Sequence, residues 1–278
     1  MSPPPSHPSR PSLDPGQNGA VSGRVAVVTG ATAGIGLAIA RELVNGGVKA
    51  VVNGRRGERL AAVAGELGAV GVVGDCADQG VIDAMFDTAL GAFGRTPSIV
   101  VVNAGRGLSG SVVTSDPSQW EEMIRTNLLG AARLIRAAAQ RMLGTTDPAS
   151  ATLDPEWKSK PRDIVILGSV VGRHVSPFSS MYGSTKFAVH GLAEAVRREL
   201  GPKGVRVSLI EPAFVVSEFQ GVAGYTDAWF RGPGGVLDRM GPVLDPEDIA
   251  RMVAFIVGQP AHVHVSDLLV RPVRQEYP

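Results

Sequence analysis

Tyr182 and Lys186, in "MYGSTKFAV", stand four positions apart, so on a helix they share one face. An ammonium held near a phenol favours the phenolate and draws the tyrosine pKa from about 10 toward neutrality, which suits the pair to proton transfer. Ser169, in "IVILGSVVG", lies 13 residues before the tyrosine and can donate a hydrogen bond to a carbonyl oxygen. Asn127, in "IRTNLLG", can anchor a water beside the lysine. Singly, each reads equally well as a helix-surface or loop residue. Together they describe a site that moves a proton onto or off an oxygen.

A phosphate cradle precedes them. "VAVVTGATAGIGLAIA" runs from an apolar strand through Gly30, Thr32, Ala33, Gly34, Ile35 and Gly36 directly into a helix. The glycines permit a tight turn and close approach of a pyrophosphate, while the helix N-terminus offers N–H groups and a positive dipole end. The spacing is Gly-x3-Gly-x-Gly, which differs from the Gly-x-Gly-x-x-Gly fingerprint. The second strand ends in Asn53, Gly54, Arg55 and Arg56, with no carboxylate to hold a ribose hydroxyl. A guanidinium there matches a 2′-phosphate, so NADP(H) is favoured and NAD(H) is the alternative. The third strand ends in Asp75 and Cys76, and Asp75 can accept a bond from an adenine amino group. The fourth ends in Asn103, Ala104 and Gly105, where Asn103 can hold the turn against the cofactor; singly, these too read as ordinary turn residues.

Such residues need a scaffold, and the chain spells one. From Arg24 onward, short β-branched runs alternate with helix-period segments, the pattern of a parallel sheet covered on both faces. Strands are expected at 24–29, 49–53, 70–74, 98–102, 163–167, 205–210 and 267–270. "GIGLAIARELVNGG", "GERLAAVAGELG" and "DQGVIDAMFDTALGAFG" read as helices, two longer ones are expected near 117–143 and 177–201, and "DPEDIARMVAFIVG" opens the last. Seven strands with six crossovers make one doubly wound, Rossmann-type α/β domain over 23–278, whose strand C-termini face the ligand crevice. Two stretches break the rhythm. Residues 144–163, rich in Pro, Thr and Asp, read as an exposed loop. Residues 212–245 mix Gly hinges with Phe214, Phe219, Tyr225, Trp229 and Phe230 and read as a substrate lid.

Composition narrows the partners. The 278 residues, 44% apolar, suffice for a sizeable core. With 27 basic against 26 acidic side chains, no bulk field recruits nucleic acid or an anionic membrane. The single cysteine, Cys76, excludes an internal disulfide and a thiol-bound zinc, so no metal is expected and a reducing cytoplasm fits. No stretch reaches the ~18–20 apolar residues of a membrane span. Residues 1–22, opening "MSPPPSHPSRPSLDPGQNG", lack the apolar core of a signal peptide and read as a disordered extension.

With these motifs in this order, the chain resembles the short-chain dehydrogenase/reductase family in its single-domain form, over residues 22 to 275. The resemblance rests on "TGATAGIG" at 29–36, "DCAD" at 75–78, "NAG" at 103–105, Asn127, Ser169, "YGSTK" at 182–186 and "IEPAFVVSEF" at 210–219. Within the family, "GRRGERL" at 54–60 and the ending at 259–277 look like the NADP-dependent branch of serine, 3-hydroxy acid and clavulanate dehydrogenases. The resemblance implies an NADP(H)-dependent oxidoreductase moving hydride between nicotinamide and a secondary alcohol, ketone or aldehyde. It implies that Tyr182 is the general acid/base, Lys186 binds the nicotinamide ribose, Ser169 polarises the carbonyl and Asn127 holds a relay water. Cofactor contacts extend to Tyr182, Lys186, Pro212, Ala213, Val215 and Ser217. Pro212-Ala213 departs from the family's Pro-Gly, and Ser217 from its threonine. A homodimer or homotetramer through the two long helices is also implied. The rival reading is a catalytically idle NADP(H)-binding regulator on the same fold.

The substrate wall is expected from 105–111, 170–182 and 212–240. Arg106, Arg173 and His174 there would suit a carboxylate or sulfonate. The lid aromatics point the other way, to a bulky apolar ketone.

Overall fold

The computed structural model describes residues 21–174 and 176–276. In strand β1 (Val25–Val28) all four side chains are buried, Val25 and Val27 in one apolar layer and Ala26 and Val28 in the other. That two-sided burial is what a central parallel strand requires, and it explains the continuous apolar run. The other strands are β2 (Lys49–Gly54), β3 (Val70–Val73), β4 (Ile99–Val102), β5 (Arg162–Leu167), β6 (Val205–Pro212) and β7 (Asp267–Val270). All pair in parallel in the order β3-β2-β1-β4-β5-β6-β7, the expected doubly wound sheet. The order reverses between β1 and β4, and the crevice opens there.

Helices α1 (Gly34–Asn45), α2 (Gly57–Leu67) and α3 (Gln79–Phe93) end close to the expected glycines. The single helix expected near 117–143 is instead a chain of four pieces. A 3₁₀ turn (Pro117–Gln119) and α4 (Trp120–Ile124) lead into a π-helical turn (Arg125–Gly130), and α5 (Ala131–Leu143) follows. The wide turn carries Asn127 inward and brings Gly130 so close to Ala77 that a Cβ would stand 3.1 Å from the alanine methyl. Helix α6 (Ser180–Leu200) bears Tyr182 and Lys186. The segment 212–245, expected as a lid, is not bare loop: α7 (Phe219–Val222), α8 (Asp227–Arg231) and α9 (Val236–Met240) punctuate it before α10 (Pro246–Val257). The 144–163 loop is partly tethered, since Lys203 Nζ donates to Ala149 O at 3.0 Å, and its last two residues already belong to β5.

Residues 1–20, most of the expected extension, lie outside the described residues; Val21 is buried in the core. Among the described residues no helix is long and apolar enough to cross a membrane. At the N-terminal edge of the sheet, buried Asp163 receives Arg24 Nη2 at 2.6 Å and Arg206 Nε and Nη2 at 2.7 and 2.9 Å. The remaining donors of both arginines end on carbonyls and on Ser98.

Candidate active site

A cleft of about 530 Å³ opens at the C-terminal ends of the strands. Every residue expected to touch the cofactor borders it, as do Ser169, Tyr182 and Lys186. At its floor, Gly30 (φ +66) and Gly34 (φ +52) occupy left-handed backbone. A Cβ on Gly30 would stand 2.9 Å from Asn103 Nδ2, and one on Gly36 would overlap the Gly30 carbonyl. Asn103 Nδ2 donates to Thr29 O at 2.8 Å, and Thr29 Oγ1 accepts from the amides of Asn103 and Ala104 at 3.1 and 3.2 Å. Thr29 thus laces the first and fourth strand ends together; its place beside the glycine turn was the only sequence signal for it. Ala33 supplies no side-chain cap to α1, and no acid stands in the first turn, so the helix amides are left for an external anion. Ser217 approaches from the lid: a Cβ on Gly34 would lie 3.1 Å from its Cβ. The backbone-built, cation-rimmed cradle fits a dinucleotide.

The rim is ionic. Exposed Arg55 pairs with Glu122 at 3.1 Å. Arg56 pairs with Glu218 at 3.0 Å and donates to Thr32 Oγ1 at 3.1 Å, and Arg59 joins Glu218 at 2.6 Å. Asp75 is engaged by Arg125 and the Ala77 amide; burial raises its pKa, but these bonds outweigh it and hold the carboxyl below its usual value. Burial pushes the Cys76 thiol up to about 11, so it is no nucleophile.

Three of the catalytic candidates meet across two elements. Ser169 follows β5, and Tyr182 and Lys186 share a face of α6. Buried Lys186 donates from Nζ to Leu167 O at 2.8 Å and stands 5.8 Å from the Tyr182 ring centroid. Burial lowers the lysine to about 8. It also raises Tyr182 above 10, with the Ser169 hydroxyl pulling the other way. Burial, the largest cause, thus acts against the drop that the lysine was expected to bring. Ser169 Oγ, besides its bond with the Tyr182 hydroxyl, makes two long ones, 3.5 Å to Pro212 O and 3.4 Å from Val171 N. Asn127 does not border the cleft. Its Oδ1 accepts from Arg106 N at 2.9 Å, and its Nδ2 donates to Arg106 O and Thr185 Oγ1 at 2.9 and 3.0 Å. Both amide hydrogens are spent on bracing the wall, which leaves the second lone pair of Oδ1 as the side chain's remaining capacity.

Sequence reasoning passed over His190, one helical turn beyond Lys186. Its ring fills the space left by Gly168 and Gly172, Nε2 accepts from Ser169 N at 3.3 Å, and Nδ1 lies 3.8 Å from fully buried Glu211. Glu211 in turn takes the Arg173 Nε at 2.8 Å, and Arg173 reaches Asp267 at 2.8 Å. Burial, with Lys186 and Arg173 nearby, lowers His190 to about 4, so it sits neutral beneath the serine. The wall segments are stitched together by Ser109 N to Ala223 O at 2.7 Å and Gly110 N to Phe178 O at 2.8 Å. Ala213 pairs with Val270 O at 3.0 Å, and no described non-glycine residue has a positive φ, so alanine fits where the family has glycine.

The sequence profile for short chain dehydrogenase matches residues 24–226. An uncharacterized oxidoreductase of Staphylococcus aureus is 33% identical over 253 residues, covering 90% of this chain and 97% of that one. Among solved structures, the closed form of a serine dehydrogenase complexed with NADP+ is 30% identical with a TM-score of 0.77, covering 91% of this chain and 96% of its own. A 3-ketoacyl-(acyl-carrier-protein) reductase from Brucella melitensis complexed with NADH is 25% identical with the same TM-score, covering 91% and 99%.

Proposed function

Because the chain belongs to the short-chain dehydrogenase family, we propose that it is an NADP(H)-dependent oxidoreductase that interconverts a carbonyl compound and its alcohol. The observation that carries the reading is the convergence of Ser169, Tyr182 and Lys186 on the cleft beside the glycine cradle. Gly30, Thr32, Ala33, Gly34, Ile35 and Gly36 with Asn103, Ala104 and Gly105 hold the dinucleotide; Arg55 and Arg56 take the 2′-phosphate; Pro212, Ala213, Val215 and Ser217 close over the nicotinamide end. Bound nicotinamide supplies or accepts the hydride, chemistry that belongs to the cofactor.

The chain's own work is proton transfer and orientation. In the reducing direction Ser169 donates to the carbonyl oxygen and aligns it. Tyr182, kept a phenol at neutral pH by burial, gives its proton to that oxygen and is left as phenolate. The Lys186 ammonium, protonated below about pH 8, steadies the phenolate. Asn127 braces Arg106 and Thr185, and through them the wall beside Lys186. Family membership also supports a homodimer or homotetramer, and Leu129 and Phe187 stand exposed on the π turn and α6, the surfaces such an assembly would use. Purified protein with NADPH and a panel of ketones and aldehydes should consume NADPH with at least one of them, and Tyr182→Phe should abolish this. NADPH binding without turnover, or full activity in Tyr182→Phe, would overturn the proposal; tighter binding of NADH than NADPH would overturn its cofactor preference.

A further inference from the structure

We infer that the substrate is a neutral carbonyl compound bearing an aromatic or bulky apolar group, and not an anionic hydroxy or keto acid. The inference rests on the oxidoreductase reading and chooses between the two walls the sequence left in competition. Of the cations expected near the substrate, Arg173 and His174 do not border the cleft, and Arg173 is taken by Glu211 and Asp267. Arg106 does border it, but its Nη1 is spent on Glu122 and its Nη2 on Gln119 at 2.7 Å; only its buried Nε lacks a partner. The other charges of the cleft, apart from Lys186, are Arg55, Arg56, Asp75 and Glu218, and all are paired. Beyond Lys186, which the oxidoreductase reading commits to the cofactor ribose and the phenolate, a substrate carboxylate would lose its water without meeting an unpaired cation, which is strongly unfavourable.

The apolar side of the choice is physically assembled. The Phe219 ring lies 5.5 Å from the Tyr182 ring and is seated over Gly107, where a Cβ would run into it. Tyr225 stacks on Trp229 at 4.4 Å, and Phe214 meets Trp229 at 6.0 Å. At the mouth, Phe178 and Val222 are 72% and 57% exposed, an apolar surface that costs solvation unless a ligand covers it. The polar groups among them are neutral and occupied: Gln220 serves the Val215 and Ser217 backbone, and the Tyr225 hydroxyl meets Ser179. Aromatic rings lining a cleft bind flat apolar groups and reject unpaired charge.

A near-isosteric pair, 4-methylacetophenone and 4-acetylbenzoate, separates the alternatives. Calorimetry on the NADP+-loaded full chain should show the methyl ketone bound at least about tenfold tighter, with Trp229→Ala removing most of that preference. Equal or tighter binding of 4-acetylbenzoate, above all if Arg106→Met abolishes it, overturns the inference, as does failure of both ketones to bind. The binding readout needs no turnover. A neutral preference without NADPH oxidation leaves this inference standing and sinks the oxidoreductase reading, whereas turnover that favours the anion does the reverse.

Discussion

At the N-terminal edge of the sheet Asp163 meets two arginines whose remaining donors all end on oxygens, whereas at the C-terminal edge Lys186 is equally buried and its Nζ donates to the Leu167 carbonyl alone. The first cluster is saturated in hydrogen bonds: one carboxylate is shared by two guanidiniums whose other donors already have acceptors. The second is underfilled, with an ammonium that has three donors and a pKa drawn down to about 8 by burial. Both sets of buried charge cost desolvation, but only the second leaves that cost to be offset by something that arrives later. Saturated charge ties strands together; unsaturated charge is what the proposed function draws on.

The largest effect that separates the two edges should come from Tyr182→Phe, which is expected to lower kcat about 10³-fold while unfolding and NADPH affinity stay near wild type. Equal losses of stability and activity would break the distinction. Asp163→Ala should do the opposite, removing about 3–5 kcal/mol from the unfolding free energy in a denaturant titration because two buried arginines lose their carboxylate. The folded fraction should turn over normally.

His190 tests the underfilled edge by pH. Its pKa falls from 6.5 to about 4 on folding, so between these values the unfolded chain binds more protons. Its contribution is fully present above pH 6.5 and is lost as pH falls toward 4. Glu211, Arg173, Asp267 and Lys186 face it in both the wild type and the variant, so the difference between the two isolates the ring. His190→Gln should flatten the thermal-stability profile by roughly 2 kcal/mol at about pH 4.5; parallel profiles would show that the histidine does not titrate on unfolding.

The smallest effects belong to the rim. Arg56→Ala should cut the preference for NADPH over NADH about tenfold in equilibrium binding. Glu218→Gln, which frees Arg56 and Arg59, should raise NADPH affinity by a few-fold and leave NADH unchanged. A shift shared by both cofactors would remove the rim from phosphate recognition.

How far these features could be read in advance differed by kind. The strands and the glycine turn were legible because they depend on local rules, two-sided burial and left-handed φ, which apolar runs and Gly30 and Gly34 state outright. Strand β6 ran on to Pro212 beyond the expected end, a boundary set by pairing with β7. The π turn at 125–130 was not legible, since helical periodicity continues on both sides of it. Nor was the occupation of Arg106, Arg173 and Asn127, whose partners lie 13 to 94 residues away in sequence.

The sequence by itself determined the alternation of strands and helices, the cradle, and which residues had the chemistry for proton transfer, because residue type and short spacing decide these. Only the tertiary structure decided which charges were spent and which were spare. That depends on what stands opposite each group across the fold, and on how much water burial has removed; it is why Tyr182 stays a phenol, Arg106 is turned aside and Lys186 is left wanting.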